Sequence, residues 1–226
     1  MNRINKIIID STESISDLCL LGAKYSTDKS PYSGPLAKYL PTPLEHAHAY
    51  TAVYDMLFSN FRHKDIRFAE VGVHYNRSIR CFREYFTKTK IFGFDHMTSF
   101  LESAKKENLK DVEYYWLDAF NKELIIKAMK ESGGEFDVII EDSCHAFETQ
   151  INFIETLHPF LKPGGILIIE DIYPDIENGY DKCDDNFAKA IEPFKQYYSN
   201  IFFIETKHKL QYSGLHQNDK LLILIK

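Results

Sequence analysis

The sequence lacks several features that would define common classes of protein. No apolar run approaches the length of a membrane span, and the N-terminus has no apolar stretch resembling a signal peptide. The four cysteines form no CxxC pair and lie far apart, which favours reduced thiols in a cytoplasmic protein. A net charge of −6 without a basic stripe argues against a nucleic-acid partner. At 226 residues, the chain has room for one α/β domain and a small appendage.

From residue 66 onward, apolar runs of strand character alternate with helical patterns. This alternation predicts βαβ units and a parallel, doubly wound, Rossmann-like sheet. The last two runs are joined by a polar turn and predict a terminal antiparallel hairpin. We therefore predict an α/β fold with seven strands. The predicted strands are 66–71, 90–94, 112–116, 136–141, 165–170, 201–205 and 220–225, and the predicted helices between and after them are 77–86, 99–107, 122–131, 147–161 and 184–197.

The first 62 residues follow a different pattern and predict a helical extension with a lid in front of a domain over 63–226. A first helix is predicted within 1–24, and a second over His46–Asn60. Four prolines punctuate the segment between them, which predicts either a functional lid over Pro31–Glu45 or a locally disordered segment. Because exposed N-terminal helices in such folds often pair, we expect a homo-oligomer.

Carboxylates stand where two of the apolar runs end. Asp142 follows 136–141, and Glu170 with Asp171 closes the next run. Ligands collect outside the carboxyl ends of parallel strands, and neighbouring strands lie only about 4.8 Å apart. These acids should therefore converge, and carboxylate oxygens at that density suit Mg2+. His145 has the chemistry to take a proton from a hydroxyl held beside them.

The strands that precede this cluster also end in residues suited to a ligand. Gly72 would let the backbone approach a ligand closely, but it stands alone, and the missing GxGxxG pattern disfavours a dehydrogenase. Asn76 occupies a later turn position and tolerates the left-handed conformation. Asp95, about 20 residues further on, stands where related folds hold ribose hydroxyls. Asp118 closes the third strand, where a polar group could meet an adenine amino group.

A simpler interpretation is that each acid caps the helix that follows it. His145 could likewise cap a helix or hydrogen-bond in a partly buried pocket. At any single strand end we would prefer the capping interpretation. Acids at five strand ends, with an imidazole three residues after Asp142, favour a functional site.

Together these motifs resemble the class I S-adenosylmethionine (SAM)-dependent methyltransferases, which have an acid opening an E-x-G motif on the first strand and a second acid for the ribose. More narrowly, the chain resembles the metal-dependent sugar O-methyltransferases of the macrocin and mycinamicin type. The resemblance covers about residues 20–172. It is carried by the segments 27–29, 48–54, 66–78, 93–95, 137–145 and 161–171.

The resemblance implies SAM and Mg2+ as cofactors and assigns roles to named positions. The cofactor-binding residues it implies are Thr27, Asp28, Lys29, Glu70, Gly72, Asn76, Ser78, Asp95, Asp118 and Ala119. The implied metal ligands are Asp142, Glu170 and Asp171, the implied general base is His145, and the acceptor edge would include His48 and Tyr50.

The chain departs from the family's pattern at a few positions. Asn76 stands where the family usually has a second glycine. Ser143 replaces a common glycine, and Cys144 precedes the implied base. Glu170 occupies a position where some relatives carry the shorter Asp.

The expected activity is methyl transfer to a sugar hydroxyl of a small glycoconjugate or activated saccharide. One alternative is the same fold acting on another oxygen acceptor, such as a phosphate-type group on a glycan precursor or a catechol-like diol. Another is a cofactor-binding module without catalysis. The lid over Pro31–Glu45 should distinguish the acceptors, because planar aromatic substrates need an apolar slot and sugars need polar donors.

Overall fold

A computed structural model describes residues 4–33, 46–173, 183–213 and 218–226. Most of the predicted lid, residues 34–45, lies outside the described residues. Within the described residues, no helix is both long and apolar enough to cross a membrane.

The strands form one mixed sheet in the order β1-β7-β8-β6-β5-β2-β3-β4. Neighbouring strands from β6 to β4 in this order are parallel, whereas β8 runs antiparallel to both of its neighbours, and β1 lies parallel to β7. The strands are β1 (Asn5–Asp10), β2 (Arg67–Val71), β3 (Lys90–Asp95), β4 (Val112–Trp116), β5 (Phe136–Glu141), β6 (Leu161–Ile169), β7 (Asn200–Lys207) and β8 (Lys220–Ile225).

Helices cover both faces of the sheet, because successive side chains of each central strand point to opposite faces and both sets are apolar. On β5, Val138 and Ile140 belong to one buried cluster, and Ile139 belongs to the other. The helices are α1 (Asp17–Tyr25), α2 (Tyr50–Phe58), α3 (Arg77–Tyr85), α4 (Thr98–Lys106), α5 (Lys122–Glu131), α6 (Phe147–Leu157) and α7 (Cys183–Ile191).

The predicted α/β class, parallel sheet and terminal antiparallel hairpin are confirmed. The sheet has eight strands among the described residues, not seven, because residues 5–10 form an edge strand rather than part of a first helix. This segment contains three consecutive isoleucines, whose β-branched side chains favour a strand. Helical spacing begins only later, and Ser16 caps α1 by accepting a hydrogen bond from the Cys19 amide.

The N-terminal part of the chain is therefore joined to the sheet. β1 pairs with β7 over its whole length, and α1 packs against α3. The division into an extension over 1–62 and a domain over 63–226 remains a prediction. What the N-terminal part contributes to the site is the loop after α1 and the helix α2.

Candidate active site

A cleft of about 850 Å³ lies at the carboxyl edge of the parallel strands. Its walls come from the loops that follow β2, β3, β4 and β5 and from the segment after α1. Seven of the predicted cofactor residues line it: Thr27, Asp28, Gly72, Ser78, Asp95, Asp118 and Ala119. The parallel sheet thus brings together strand ends that are far apart in the sequence, as predicted.

Gly72 has a stronger structural requirement than the sequence suggested. Its φ is +102°, a conformation that residues with a side chain rarely adopt. A Cβ atom there would lie 1.9 Å from the carbonyl oxygen of Asp142. Gly72 therefore allows the backbone after β2 to pass directly against the backbone after β5, which keeps Asp142 at the edge of the cleft.

Asp95 organises the turn that follows β2. Its Oδ2 accepts hydrogen bonds from the amides of Val73 and His74 at 2.9 and 3.0 Å, and its Oδ1 accepts one from Met97 at 2.8 Å. The side chain still lines the cleft. Asp95 thus fixes the backbone of the turn while it faces the region where the resemblance expects a ribose.

Three predicted cofactor residues are not among the residues that line the cleft. Asn76 has a φ of +61° and accepts a hydrogen bond from the Tyr114 hydroxyl, so it serves the turn into α3. Glu70 is fully buried and accepts a hydrogen bond from Ser78 at 2.8 Å. Lys29 is also buried, with 2% of its surface exposed, and it reaches the carboxylates behind the cleft rather than closing over it.

The inner cluster consists of Glu70, Asp142 and Glu170 around the ammonium group of Lys29. The Lys29 Nζ lies 3.4 Å from Glu70 and 2.8 Å from Glu170, and it donates a short hydrogen bond to Asp142 Oδ2. Glu70 and Glu170 are almost completely buried. Tyr54 completes this cluster, since its hydroxyl donates to Glu170 Oε1 at 2.6 Å.

The outer cluster consists of Asp142, His145 and Asp171. One ligand atom from each lies within 4.8 Å of the others, a spacing that could hold a metal ion. His145 Nε2 is 3.5 Å from Asp171 Oδ2, and its Nδ1 is 3.9 Å from Asp142 Oδ1. Asp142 and His145 line the cleft. The two clusters therefore share Asp142. Lys29 contacts its Oδ2, and His145 faces its Oδ1.

Two residues of the outer cluster hold strained backbone conformations. His145 has a φ of +58° and Asp171 a φ of +56°. Non-glycine residues adopt this region at a cost of about 1–3 kcal/mol, and such residues concentrate at functional sites. Of these two residues, His145 lines the cleft, and Asp171 lies beside it.

Asp171 contacts Tyr50 of α2 and His48, which lies just before that helix. The Tyr50 hydroxyl donates to Asp171 Oδ1 at 2.6 Å. His48 Nε2 lies 3.5 Å from the same oxygen, and its Nδ1 is 2.7 Å from Asp219. Residues predicted at the acceptor edge, His48 and Tyr50, thus orient a carboxylate of the outer cluster.

Burial and neighbouring charges together set the pKa values of the inner cluster and of His48. Burial disfavours the charged form of Lys29, but the carboxylates of Asp142, Glu170 and Glu70 outweigh it and hold the Lys29 pKa well above its ordinary value. Burial raises the pKa of Glu70 to about 7 and that of Glu170 well above its ordinary value. Burial also lowers the pKa of His48, but Asp171 and Asp219 outweigh it and raise that pKa to about 9.

Sequence reasoning missed the roles of Tyr54 and Asp219. Tyr54 is fully buried, and its hydroxyl donates a hydrogen bond to Glu170. The positions of Tyr50 and Tyr54, one helical turn apart and polar at the tip, could have indicated two carboxylate partners. Asp219 lies just before β8 and reaches His48 only because the sheet places β8 beside β6.

Comparison with known proteins supports the predicted family. Residues 69–172 match a family described as a methyltransferase domain. A tetracenomycin rhamnosyl 3'-O-methyltransferase from Streptomyces olivaceus is 24% identical over 80% of this chain and 43% of the relative. Mycinamicin VI 2''-O-methyltransferase from Micromonospora griseorubida is 23% identical over 61% of this chain and 35% of the relative. The chain thus spans less than half the length of these relatives.

The solved structure of the MycE methyltransferase of the mycinamycin pathway, in complex with Mg, SAH and mycinamycin VI, has the same fold. The TM-score is 0.65 at 19% identity, and the likeness covers 93% of this chain and 54% of MycE. Residues 69–172 thus match a methyltransferase domain, and the chain is similar in sequence to the macrocin- and mycinamicin-type O-methyltransferases.

Proposed function

We propose that this chain is a SAM- and Mg2+-dependent O-methyltransferase that acts on a sugar hydroxyl of a small glycoconjugate or activated saccharide. The observation that carries the proposal is the outer cluster, in which two carboxylates and an imidazole converge within 4.8 Å at one end of the cleft. The predicted cofactor residues line the same cleft. A methyl donor and an acceptor hydroxyl could therefore meet beside His145.

The residues of the outer cluster fit a hard divalent ion. Asp142 and Asp171 offer carboxylate oxygens, which Mg2+ prefers. His145 lines the cleft beside Asp142, which leaves its imidazole available as the base rather than as a ligand of the ion. Glu170 fits less well, because Lys29 and Tyr54 already occupy its two oxygens. When bound there, Mg2+ would lower the pKa of an acceptor hydroxyl and fix its direction.

The cleft also fits a nucleoside-containing cofactor in its chemistry. Asp95 and Asp118 present carboxylates toward the cleft from the ends of β3 and β4, where hydroxyl and amino groups of an adenosine would need acceptors. Ser78, at the start of α3, lines the cleft close to Glu70. We assign the ribose to Asp95, the adenine to Asp118 and Ala119, and the methionine end to Gly72 and Ser78.

His145 is the proposed general base. Methyl transfer from a sulfonium is an in-line displacement, in which the acceptor oxygen gains the methyl group and the sulfur keeps the electron pair of the broken bond. The hydroxyl proton goes to His145 Nε2, because an imidazole beside the acceptor oxygen is a common general base. Asp171, 3.5 Å away, orients the ring and stabilises the charge it gains. Positioning of the two reactants supplies much of the remaining rate enhancement.

The sugar acceptor is inferred from the relatives, whose names specify rhamnosyl, macrocin and mycinamicin acceptors. The outer cluster agrees with an acceptor that offers two neighbouring oxygens, since two carboxylates leave several positions of a six-coordinate ion open. A cytoplasmic location and a homo-oligomer remain predictions. The former agrees with the unpaired thiols of Cys19, Cys81 and Cys144.

Calorimetric titration tests the proposal first. SAM and then S-adenosylhomocysteine would be titrated into the protein with and without Mg2+. We expect 1:1 binding of both, followed by transfer of a labelled methyl group to a saccharide panel that includes vicinal diols. His145→Ala should bind SAM like the wild type and lose transfer.

The outcomes separate the rival functions. If neither ligand gives a binding heat in the titration or a change in the unfolding temperature, SAM is excluded as the cofactor. Binding without transfer to any saccharide, phosphorylated glycan precursor or catechol would favour a non-catalytic module. Methyl transfer only to a catechol or a phosphate-type group would support the proposed O-methyltransferase reaction and contradict the proposed sugar acceptor.

A further inference from the structure

We propose that Lys29 is a built-in cation that fills the inner cluster and thereby limits the site to one divalent ion, held by Asp142 and Asp171 of the outer cluster. The inference rests on the proposed Mg2+ dependence. It assigns Lys29 a role other than the cofactor binding that the resemblance implies.

The geometry of the inner cluster is that of a metal site with an ammonium group in place of the metal. Ligand oxygens of Glu70, Asp142 and Glu170 all lie within 4.8 Å of one another. The Lys29 Nζ contacts all three carboxylates. Its side chain is 2% exposed, as is that of Glu170, and that of Glu70 is fully buried. Three carboxylates in so small a buried volume require a cation, and Lys29 supplies it.

Asp142 links the inner and outer clusters through its two oxygens. Its Oδ2 accepts from Lys29, whereas its Oδ1 faces His145. A carboxylate that uses one oxygen on each side is the bridging ligand of two-metal sites, in which the ions lie about 3.5–4 Å apart. Lys29 therefore stands where a second ion would otherwise be bound.

Lys29 is fixed in this position by its backbone. Its carbonyl oxygen accepts hydrogen bonds from the amides of Tyr50 and Thr51, both at 3.0 Å. These are the first amides of α2, which have no partner within the helix. The same helix carries Tyr50 to Asp171 and Tyr54 to Glu170. Lys29 and α2 thus form one unit that places a single positive charge on the inner cluster.

A lysine differs from a second metal ion because its ammonium group cannot bind a substrate oxygen as a metal ligand. It neutralises one charge, cannot leave, and offers no open coordination position to a ligand. The inner cluster can then support the backbone and the shared Asp142 without binding an acceptor. The acceptor oxygens are left with one ion on the open side of the cleft.

The test is the number of Mn2+ ions bound per chain, measured by equilibrium dialysis and by electron paramagnetic resonance of the whole protein. We expect one ion in the wild type and two in Lys29→Met, with spin coupling between the two because Asp142 would bridge them. Lys24→Met is the matched control, because Lys24 pairs with Glu84 on the exposed surface. It should bind one ion.

A double variant with an unchanged net charge provides a second test in case Lys29→Met folds poorly. Lys29→Met combined with Glu170→Gln removes one positive and one negative charge, so it should fold without metal and bind one ion. Failure of this double variant to fold, or two ions bound to it, would overturn the inference.

The possible results distinguish this inference from the proposed function. If the wild type binds no Mn2+, the proposed metal site is wrong, and so is the proposed Mg2+ dependence. A wild type with one ion and a folded Lys29→Met with one ion of unchanged affinity overturns the role of Lys29 alone. Two ions in the wild type also overturn it, while the metal site stands.

Discussion

The inner and outer clusters share Asp142 and yet differ in burial, charge and backbone strain. The inner cluster is closed, and Lys29 with Tyr54 occupies both oxygens of Glu170. Asp142 and His145 of the outer cluster line the cleft, and two of its residues hold the left-handed conformation. A buried cluster that contains its own cation stabilises the fold, and a cluster beside the cleft is available for a ligand.

The largest effect on stability should come from Lys29→Met. It leaves buried carboxylates without their cation, and breaking such a pair typically costs about 3–5 kcal/mol. Urea unfolding should show this loss without metal, with partial recovery when Glu170→Gln is added. Lys24→Met should change stability little, because exposed ion pairs contribute about 0–1 kcal/mol. A loss of under 1 kcal/mol in Lys29→Met would mean that the inner cluster does not depend on its lysine.

Metal removal should act on the outer cluster and come next in size. A ligand at 100 times its Kd stabilises the state it binds by about 2.7 kcal/mol. Thermal unfolding in EDTA and in excess Mg2+ should therefore differ for the wild type but not for Asp171→Asn. Asp65→Asn, which removes an exposed carboxylate outside the cleft, should respond like the wild type. An Asp171→Asn variant that still gains stability from Mg2+ would exclude Asp171 as a ligand.

Two tyrosines of α2 allow a matched comparison between the clusters. Tyr54→Phe removes a donor to the buried Glu170, so it should lower the free energy of unfolding by about 1.5–3 kcal/mol. Tyr50→Phe removes a donor to Asp171, so it should weaken Mn2+ binding by about 10–100-fold. Chemical unfolding and metal titration of both variants would measure the two effects. Equal effects of both variants on both quantities would show that the clusters act as one.

The smallest effect on stability, and one of favourable sign, is expected at His145. Asn tolerates the left-handed conformation better than His, so His145→Asn should keep or raise stability by up to about 1 kcal/mol. Removal of a general base should slow methyl transfer by about 10²–10⁴-fold. His145→Ala should lose as much activity without the gain in stability. Retained transfer in either variant would assign the proton to another group.

The strand ends of the site could be predicted from the sequence because each strand is a local pattern. The bounds of β4, β5 and β8 agree with the predicted ones, and Asp142 and Asp171 follow their strands as expected. A parallel sheet aligns the carboxyl ends of its strands, so local patterns were enough to bring these acids together.

Prediction failed where a local pattern was ambiguous or incomplete. The first 24 residues carry both a β-branched run and helical spacing, and the helical spacing was extended too far toward the N-terminus. β1 forms because β7 offers a free parallel edge, and β7 lies about 190 residues later in the chain. The sequence pattern of β1 does not identify β7 as its partner strand.

By itself, the sequence determined the α/β class, the order of strands and helices after residue 66, and the edge of the sheet at which the acids gather. Hydrophobic periodicity and strand ends are local properties that a linear chain displays directly. Only the tertiary structure decided which acids remain open. Lys29, Tyr54 and Asp219 reach their carboxylate or imidazole partners across separations of 141, 116 and 171 residues. Such contacts form because the sheet and α2 enclose a small volume in which every buried charge must find a partner.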